Sequence, residues 1–205
     1  MLFNFDYDGV IVDSFDQLLC LAVQAQQALG GGRKPIGEDF QKIENLAFDE
    51  LGRRIGLDED TVSQYAYNIF ELQRDQWEVD VFSEMIPALE RLAKLHQLVV
   101  ITSSQSEAVA TTLEDFGIRS LFSDILGGEL GMTKAACIKQ SCHNLSCFRK
   151  DTFMVGDAIS DIRQGKVAGV KTISVSWGFQ DRALLEKEDP DFIAGNPSDL
   201  LKIGA

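Results

Sequence analysis

Three short apolar runs, Leu2–Phe5, Leu98–Ile101 and Phe153–Val155, each give way to a polar residue and then to a stretch of helical periodicity. Lys171–Val175 is a fourth such run, without a comparable polar site at its end. Runs this short and this apolar suit strands buried on both faces, and their alternation with amphipathic segments is what βαβ connections produce. The expected fold class is therefore α/β, a parallel sheet covered by helices on both faces.

The helical segments around the second run are legible from spacing. Ser83–Leu95 sets Met85, Ile86, Leu89, Leu92 and Leu95 on one face, and Gln105–Phe116 forms another helix closed by Gly117. Between the first and second runs lie about ninety residues with no good strand candidate, far more than an ordinary crossover needs. Within them Phe15–Leu29, Phe48–Ile55 and Asp60–Trp77 have helical patterns, the first ended by Gly30-Gly31-Gly32 and the second by Gly56. The expected organisation is a core of residues 1–13 and 81–205, with an inserted helical domain at 14–80. The triple glycine follows a helix and precedes Pro35, which fits a loop, and Gly127-Gly128 with Gly131 fails the dinucleotide-binding pattern.

Composition narrows the partners. The 32 acidic against 19 basic residues give a formal charge of −13, which repels nucleic acid and anionic membranes unless basic residues cluster. Arg33-Lys34 and Arg53-Arg54 are only short pairs. No stretch reaches the roughly 18 apolar residues of a membrane span, and the start of the chain lacks the features of a signal peptide. A cytoplasmic protein with reduced cysteines is expected. Cys137, Cys142, His143 and Cys147 fall close together, but their spacing departs from paired zinc ligands, and ordinary thiols in and near a core helix are expected.

The chemistry collects at the ends of the runs. Asp6-Tyr7-Asp8-Gly9-Val10 places two carboxylates where open α/β sheets bind ligands. Neighbouring carboxylates oppose each other's ionisation unless a cation lies between them, and a hard, oxygen-seeking ion such as Mg²⁺ is the natural solution. A surface turn is the plain alternative; a calcium loop fails because Val10 and Ile11 stand where an oxygen ligand and a glycine would be needed. Gly156-Asp157-Ala158-Ile159-Ser160-Asp161 ends the third run with two more acids, which share one side if a helix begins near Ala158. Capping accounts for Asp157 but does not call for Asp161. Thr102-Ser103-Ser104 ends the second run, where capping alone would suffice, and Lys134 precedes a helix from Ala135. Taken together, acids, hydroxyls and a lysine are what phosphoryl transfer requires.

Asp6-Tyr7-Asp8-Gly9-Val10-Ile11-Val12-Asp13-Ser14, the run ending in Thr102, Lys134, and Gly156–Asp161 resemble, in order, the four motifs of the haloacid dehalogenase-like hydrolase superfamily. Ala168-Gly169-Val170 and Val175–Phe179 resemble the segment after the fourth motif in phosphoglycolate phosphatase-like members, and Pro190–Ile193 with Asn196–Leu201 the end of those proteins. The resemblance implies a Rossmann-like core with an α-helical cap, and Mg²⁺-dependent hydrolysis of a small phosphate monoester. By it, Asp6 becomes the aspartyl-phosphate and Asp8 is general acid, then base. Mg²⁺ is held by Asp6, the Asp8 backbone carbonyl and Asp157. Thr102 and the backbone after it, at Ser103, bind the phosphoryl oxygens; Lys134 neutralises charge, and Asp161 orients Lys134 or the metal shell. The cap would close over the substrate and select it. Dehalogenating relatives lack the second carboxylate, so Asp8 disfavours that chemistry.

Three departures stand out. Asn4 interrupts an otherwise apolar first run, the segment around Lys134 lacks the prolines common in this subgroup, and the cap has no legible specificity signature, although Arg33, Lys34, Arg53 or Arg54 could meet an anionic leaving group. The expected partner is a small phosphate ester, phosphoglycolate-like, acted on by a monomer or homodimer. Rival readings are a sugar-phosphate mutase of the same fold and a non-catalytic interaction protein.

Overall fold

The computed structural model describes residues 1–43 and 47–203; residues 44–46 and 204–205, which fall within the expected domain ranges, lie outside the described residues. In chain order the elements are β1 Leu2–Phe5, β2 Val12–Asp13, α1 Phe15–Leu29, α2 Gly37–Lys42, α3 Phe48–Arg54, α4 Glu59–Gln76, β3 Asp80–Val81, α5 Met85–Ala93, β4 Gln97–Ile101 and α6 Ser106–Asp115. They continue with β5 Asp124–Leu126, α7 Lys134–Asn144, β6 Thr152–Gly156, α8 Ile159–Ala168, β7 Lys171–Val175, α9 Arg182–Glu186, β8 Phe192–Ala194 and α10 Asp199–Ile203. The chain forms two compact units, Met1–Asp13 with Asp80–Ala205, and Ser14–Val79.

The first unit holds a six-stranded parallel sheet in the order β5-β4-β1-β6-β7-β8. All four residues of β1 are buried because the strand is central, with neighbours on both sides and layers on both faces. Strand order runs outward from β1 through β4 to β5, then returns to β6 on the other side. The reversal makes the carboxyl ends of β4, β1 and β6 the switch point at which such sheets open a crevice. Phe5 is level with Val100 and Val155, so Asp6 leaves the sheet one residue short of the level of Thr102 and Asp157, and all three gather at the same end of neighbouring strands.

On one face of the sheet, Leu2, Val99, Ile101 and Met154 pack against Ala135, Ile138, Cys137 and Cys142 of α7. Cys137 and Cys142 are thus core thiols, and Cys147 packs at the margin of the same cluster. The other face is aromatic: Phe3 stacks on Phe153 with centroids 4.8 Å apart.

Several elements differ from their sequence expectation. Val12 and Asp13 pair antiparallel with Val81 and Asp80, a ribbon of two residues per strand in a stretch expected to hold no strand; Asp80 accordingly falls in the sheet-bearing unit. The helix expected over Ser83–Leu95 is shorter, and Leu95, expected on its apolar face, is exposed.

The second unit is helical throughout its described elements. Leu18, Leu21, Ala22 and Ala25 of α1 and Val62, Tyr65 and Ile69 of α4 are buried at helical spacing, and the Tyr65 hydroxyl donates to the Ala22 carbonyl at 3.2 Å. Helix α2, absent from the sequence reading, depends on a charge. Asp39 is buried and accepts from the Ile36 N–H at the helix start, from Nη1 and Nη2 of Arg33, and from Arg54 Nε at 3.0 Å. Arg33 foremost, and also Arg54 and the Ile36 N–H, hold the Asp39 carboxyl down at about 2. A depressed carboxyl stabilises the folded state above its unfolded value near 3.8, and that contribution fades as pH falls toward 2. Asp39→Asn should therefore cost about 2 kcal/mol at pH 7, the half-exposed Arg33 keeping the loss below that of a fully buried pair. Urea unfolding at pH 7 and pH 2.5 checks this; an equal loss at both would remove the charge as its cause.

Candidate active site

Residues Tyr7–Val12 form a tight loop beyond β1, with the N–H groups of Val10, Ile11 and Val12 all directed at the Tyr7 carbonyl and Gly9 N–H donating to Val12 O at 3.0 Å. Gly9 holds φ at +73°, and a Cβ there would collide with the Asp157 carboxylate and the Phe179 ring. The loop can approach Asp157 only because that residue is glycine. Trp177 Nε1 reaches across to the Val10 carbonyl at 3.2 Å, which draws the segment after β7 against it.

Asp6 is buried. Its Oδ1 accepts from the Tyr7 N–H at 2.8 Å, and its Oδ2 accepts from the ammonium of Lys134. Lys134 also donates to Asp161 Oδ1 at 2.6 Å, while Asp161 Oδ2 accepts from the Ala158 N–H at 3.1 Å at the start of α8. One lysine on α7 thus joins the acid that follows β1 to an acid of α8. Thr133 caps α7 by accepting from Ala136 N–H, which starts the helix so that its first residue is Lys134. Each oxygen of Asp161 accepts one hydrogen bond, from Lys134 and from the α8 terminus.

Burial pushes the Asp6 carboxyl up to about 7, with Asp161 and Asp8 adding to the rise and Lys134 opposing it. Burial also works against the Lys134 charge, but Asp161 and Asp6 outweigh it and hold the ammonium well above its ordinary value. Asp157 is raised as well, first by burial and then by Asp161 and Asp6.

The residues present fit a hard cation. Asp6, Asp157 and Asp161 each offer an oxygen, all within 4.8 Å of one another. Asp157 Oδ2 accepts from the Phe179 N–H at 2.7 Å, but Oδ1 is buried with no hydrogen-bond partner among the described residues. A bare, buried carboxylate oxygen is costly unless a cation meets it, and carboxylate oxygens suit Mg²⁺ or a similar ion.

Asp8 is partly exposed, and the Ser104 hydroxyl donates to its Oδ2 at 2.9 Å. Thr102 is buried, and its hydroxyl accepts from the Ser104 N–H at 3.0 Å, which fixes the turn; Ser103 at its apex is exposed. Gly127 and Gly128 let the next loop pack against this turn, with Gly128 N–H donating to Ser104 O at 2.9 Å. Sequence reasoning gave Ser104 no part of its own, and also missed the Phe179 N–H and Gln180, whose Oε1 accepts from Ile159 N–H at 2.7 Å. A third hydroxyl directly after Thr102-Ser103 was the available signal for Ser104; a backbone donor leaves none. Of the basic residues considered for an anionic leaving group, Arg33 and Arg54 are held by Asp39, and Arg53 by Asp49 and Glu59.

Comparison with known proteins extends this picture. Residues 4–175 match the family model described as haloacid dehalogenase-like hydrolase. A phosphoglycolate phosphatase of Synechococcus elongatus is 28% identical over 204 residues, covering 97% of this chain and 94% of its own. One from Vibrio parahaemolyticus is 27% identical over 219 residues, covering 100% of this chain and 96% of its own. The solved structure of a haloacid dehalogenase-like family hydrolase from Streptococcus pneumoniae shares the fold at a TM-score of 0.88 and 21% identity, with 100% of this chain and 98% of that one covered. A predicted phosphoglycolate phosphatase from Haemophilus somnus does so at 0.83 and 24%, with 100% and 97% covered. The matched span runs from the strand that presents Asp6 to the strand beyond Asp161, and the chain belongs to the haloacid dehalogenase-like hydrolase family.

Proposed function

We propose that this chain is a Mg²⁺-dependent phosphatase that hydrolyses a small phosphate monoester through an aspartyl-phosphate on Asp6. The observation that carries the reading is the pairing of a buried Asp6 with Lys134, beside an Asp157 oxygen that lacks a partner among the described residues. Asp6, Asp157 and the Asp8 backbone carbonyl would hold the Mg²⁺, which when bound supplies positive charge to the phosphoryl oxygens and to the acids around it.

In the first half-reaction an Asp6 oxygen attacks phosphorus, the ester P–O bond breaks, and the leaving alkoxide takes a proton from the Asp8 carboxyl. Asp8, now a carboxylate, then removes a proton from water; the resulting hydroxide attacks the phosphorus, and phosphate departs as Asp6 is freed. Lys134 counters the charge that gathers on the phosphoryl group, while the Thr102–Ser104 turn offers Ser103 hydroxyl and backbone donors to its oxygens. Ser104 keeps Asp8 aimed by donating to it. The helical unit, inserted in the sequence between β2 and β3, is assigned to substrate selection, and the names of the relatives make phosphoglycolate the first substrate to try.

Phosphate release from an aryl phosphate and from phosphoglycolate, with Mg²⁺ and after chelation, tests the reading. Turnover should require the metal and return on its re-addition; isomerisation of sugar phosphates without net phosphate release would overturn it. The metal arm has a second readout. Because burial raises Asp6, the folded metal-free state binds more protons than the unfolded chain between about 4 and about 7 and loses stability as pH rises through that window. Mg²⁺ should therefore raise Tm more at pH 8 than at pH 5.5.

A further inference from the structure

Asn4 stands in the middle of the central strand, fully buried, level with Val99 of β4 and Met154 of β6. Those neighbours belong to the apolar cluster under α7, where an amide is out of place by composition. Its polar atoms are nevertheless satisfied: Nδ2 donates to the Phe153 carbonyl at 3.2 Å, and Oδ1 accepts from the Ser141 hydroxyl at 2.6 Å. Ser141 is itself buried, on the same helix as Lys134.

The spacing links this pair to the active site. Asn4 and Asp6 are two residues apart on a strand and so face the same side of the sheet. Lys134 and Ser141 are seven apart on a helix, two turns along one face, with buried Ile138 between them. Helix α7 therefore touches β1 through two polar contacts, Lys134 to Asp6 and Ser141 to Asn4, separated by apolar packing. Apolar packing is non-directional and tolerates a small slide. A buried amide–hydroxyl bond does not, since a slide would leave the Asn4 oxygen without its donor at about 1–3 kcal/mol, while the Ser141 hydroxyl would turn to the Ile138 carbonyl 2.9 Å away on its own helix.

We infer that Asn4 and Ser141 are positioning residues, a register pin that sets α7 along β1 so that the Lys134 ammonium falls between Asp6 and Asp161. The catalytic consequence rests on the phosphatase reading above; the geometric one does not. A buried polar group that selects one register over its neighbours has its best-attested counterpart in coiled coils.

Paired substitutions separate a positioning role from a structural one. Ser141→Ala strands the Asn4 carbonyl oxygen in the core, so both Tm and kcat should fall. Adding Asn4→Leu removes the second polar group with little change in volume, so Tm should return to within a few degrees of the parent. The pin is still missing, so kcat for an aryl phosphate should stay about tenfold or more below the parent while KM holds, misplacement by about an ångström being costly to chemistry. Recovery of kcat together with Tm in the double variant would show a structural role and overturn the proposal. If the double variant does not fold, Ser141→Ala decides, assayed well below its own Tm: unchanged kcat overturns the pin. Asp6→Asn supplies the activity background. Should the parent not exceed it, the phosphatase reading fails, and the crystal structure of the double variant then judges the pin. Lys134 displaced from Asp6 and Asp161 supports it, and Lys134 in its original contacts overturns it.

Discussion

Asp6→Asn is expected to lower Mg²⁺-dependent phosphate release by about 10⁴-fold or more, to the level left by binding and electrostatics alone. The substitution replaces one carboxylate oxygen by an amide nitrogen and removes the charge that the proposed attack on phosphorus needs, while the Tyr7 N–H can still donate to the amide oxygen and Lys134 keeps Asp161. Tm should therefore change little, and a neutral group in a buried position can even gain stability at high pH. The measurement is kcat on an aryl phosphate beside a thermal melt at pH 8. A variant within tenfold of the parent would remove Asp6 as the covalent residue, whatever its other contacts.

Lys134→Met should damage both stability and turnover. The methionine fills similar space, but Asp6 and Asp161 then share a buried site without the cation that both contact. Removing one member of a buried ion network costs about 3–5 kcal/mol, because the charges left behind stay out of water. The loss should grow with pH: Asp6 already titrates high, and without the ammonium it ionises still less readily, so alkaline pH drives the carboxylates into repulsion or the chain into unfolding. Turnover should fall by about 10²–10³-fold, comparable to removal of one charge-stabilising donor. Denaturant melts at pH 5 and pH 8 read the first effect and kcat the second. Equal stability at both values, with turnover within tenfold, would leave Lys134 no part in holding the site together.

What the sequence disclosed follows from where residues sit in the sheet. β1, β4, β6 and β7 were legible because strands covered on both faces are written as apolar runs. β5 and β8 have three residues each at the two edges, and β2 and β3 have two each, too short for any period to register. Helix α2 escaped because its six residues are mostly polar and its start is held by Asp39 and two distant arginines rather than by an apolar stripe. The strand-end acids could be nominated from position alone. Their partnerships could not, since Lys134 lies 128 residues from Asp6 and 27 from Asp161 and meets both only after the sheet closes. Asn4 is legible in the sequence only as an interruption of the run, because the strand period cannot reveal a hydroxyl waiting on a helix.

The central place of β1 also bears on how the chain is made. β1 is translated before either neighbour, and β6, its second partner, lies about 150 residues further on, about 8–30 s later at ordinary rates of synthesis. Both backbone edges of the apolar segment that leads to Asp6 are unpaired until β4 is made, and the edge that β6 covers stays open for the whole interval, the condition under which strands join the wrong chain. The helical unit is encoded in this gap, and its contacts are local enough to form while the strand waits. Catalytic competence is thus a late event in the life of each molecule, gained only when the far half of the chain has docked beside the near one.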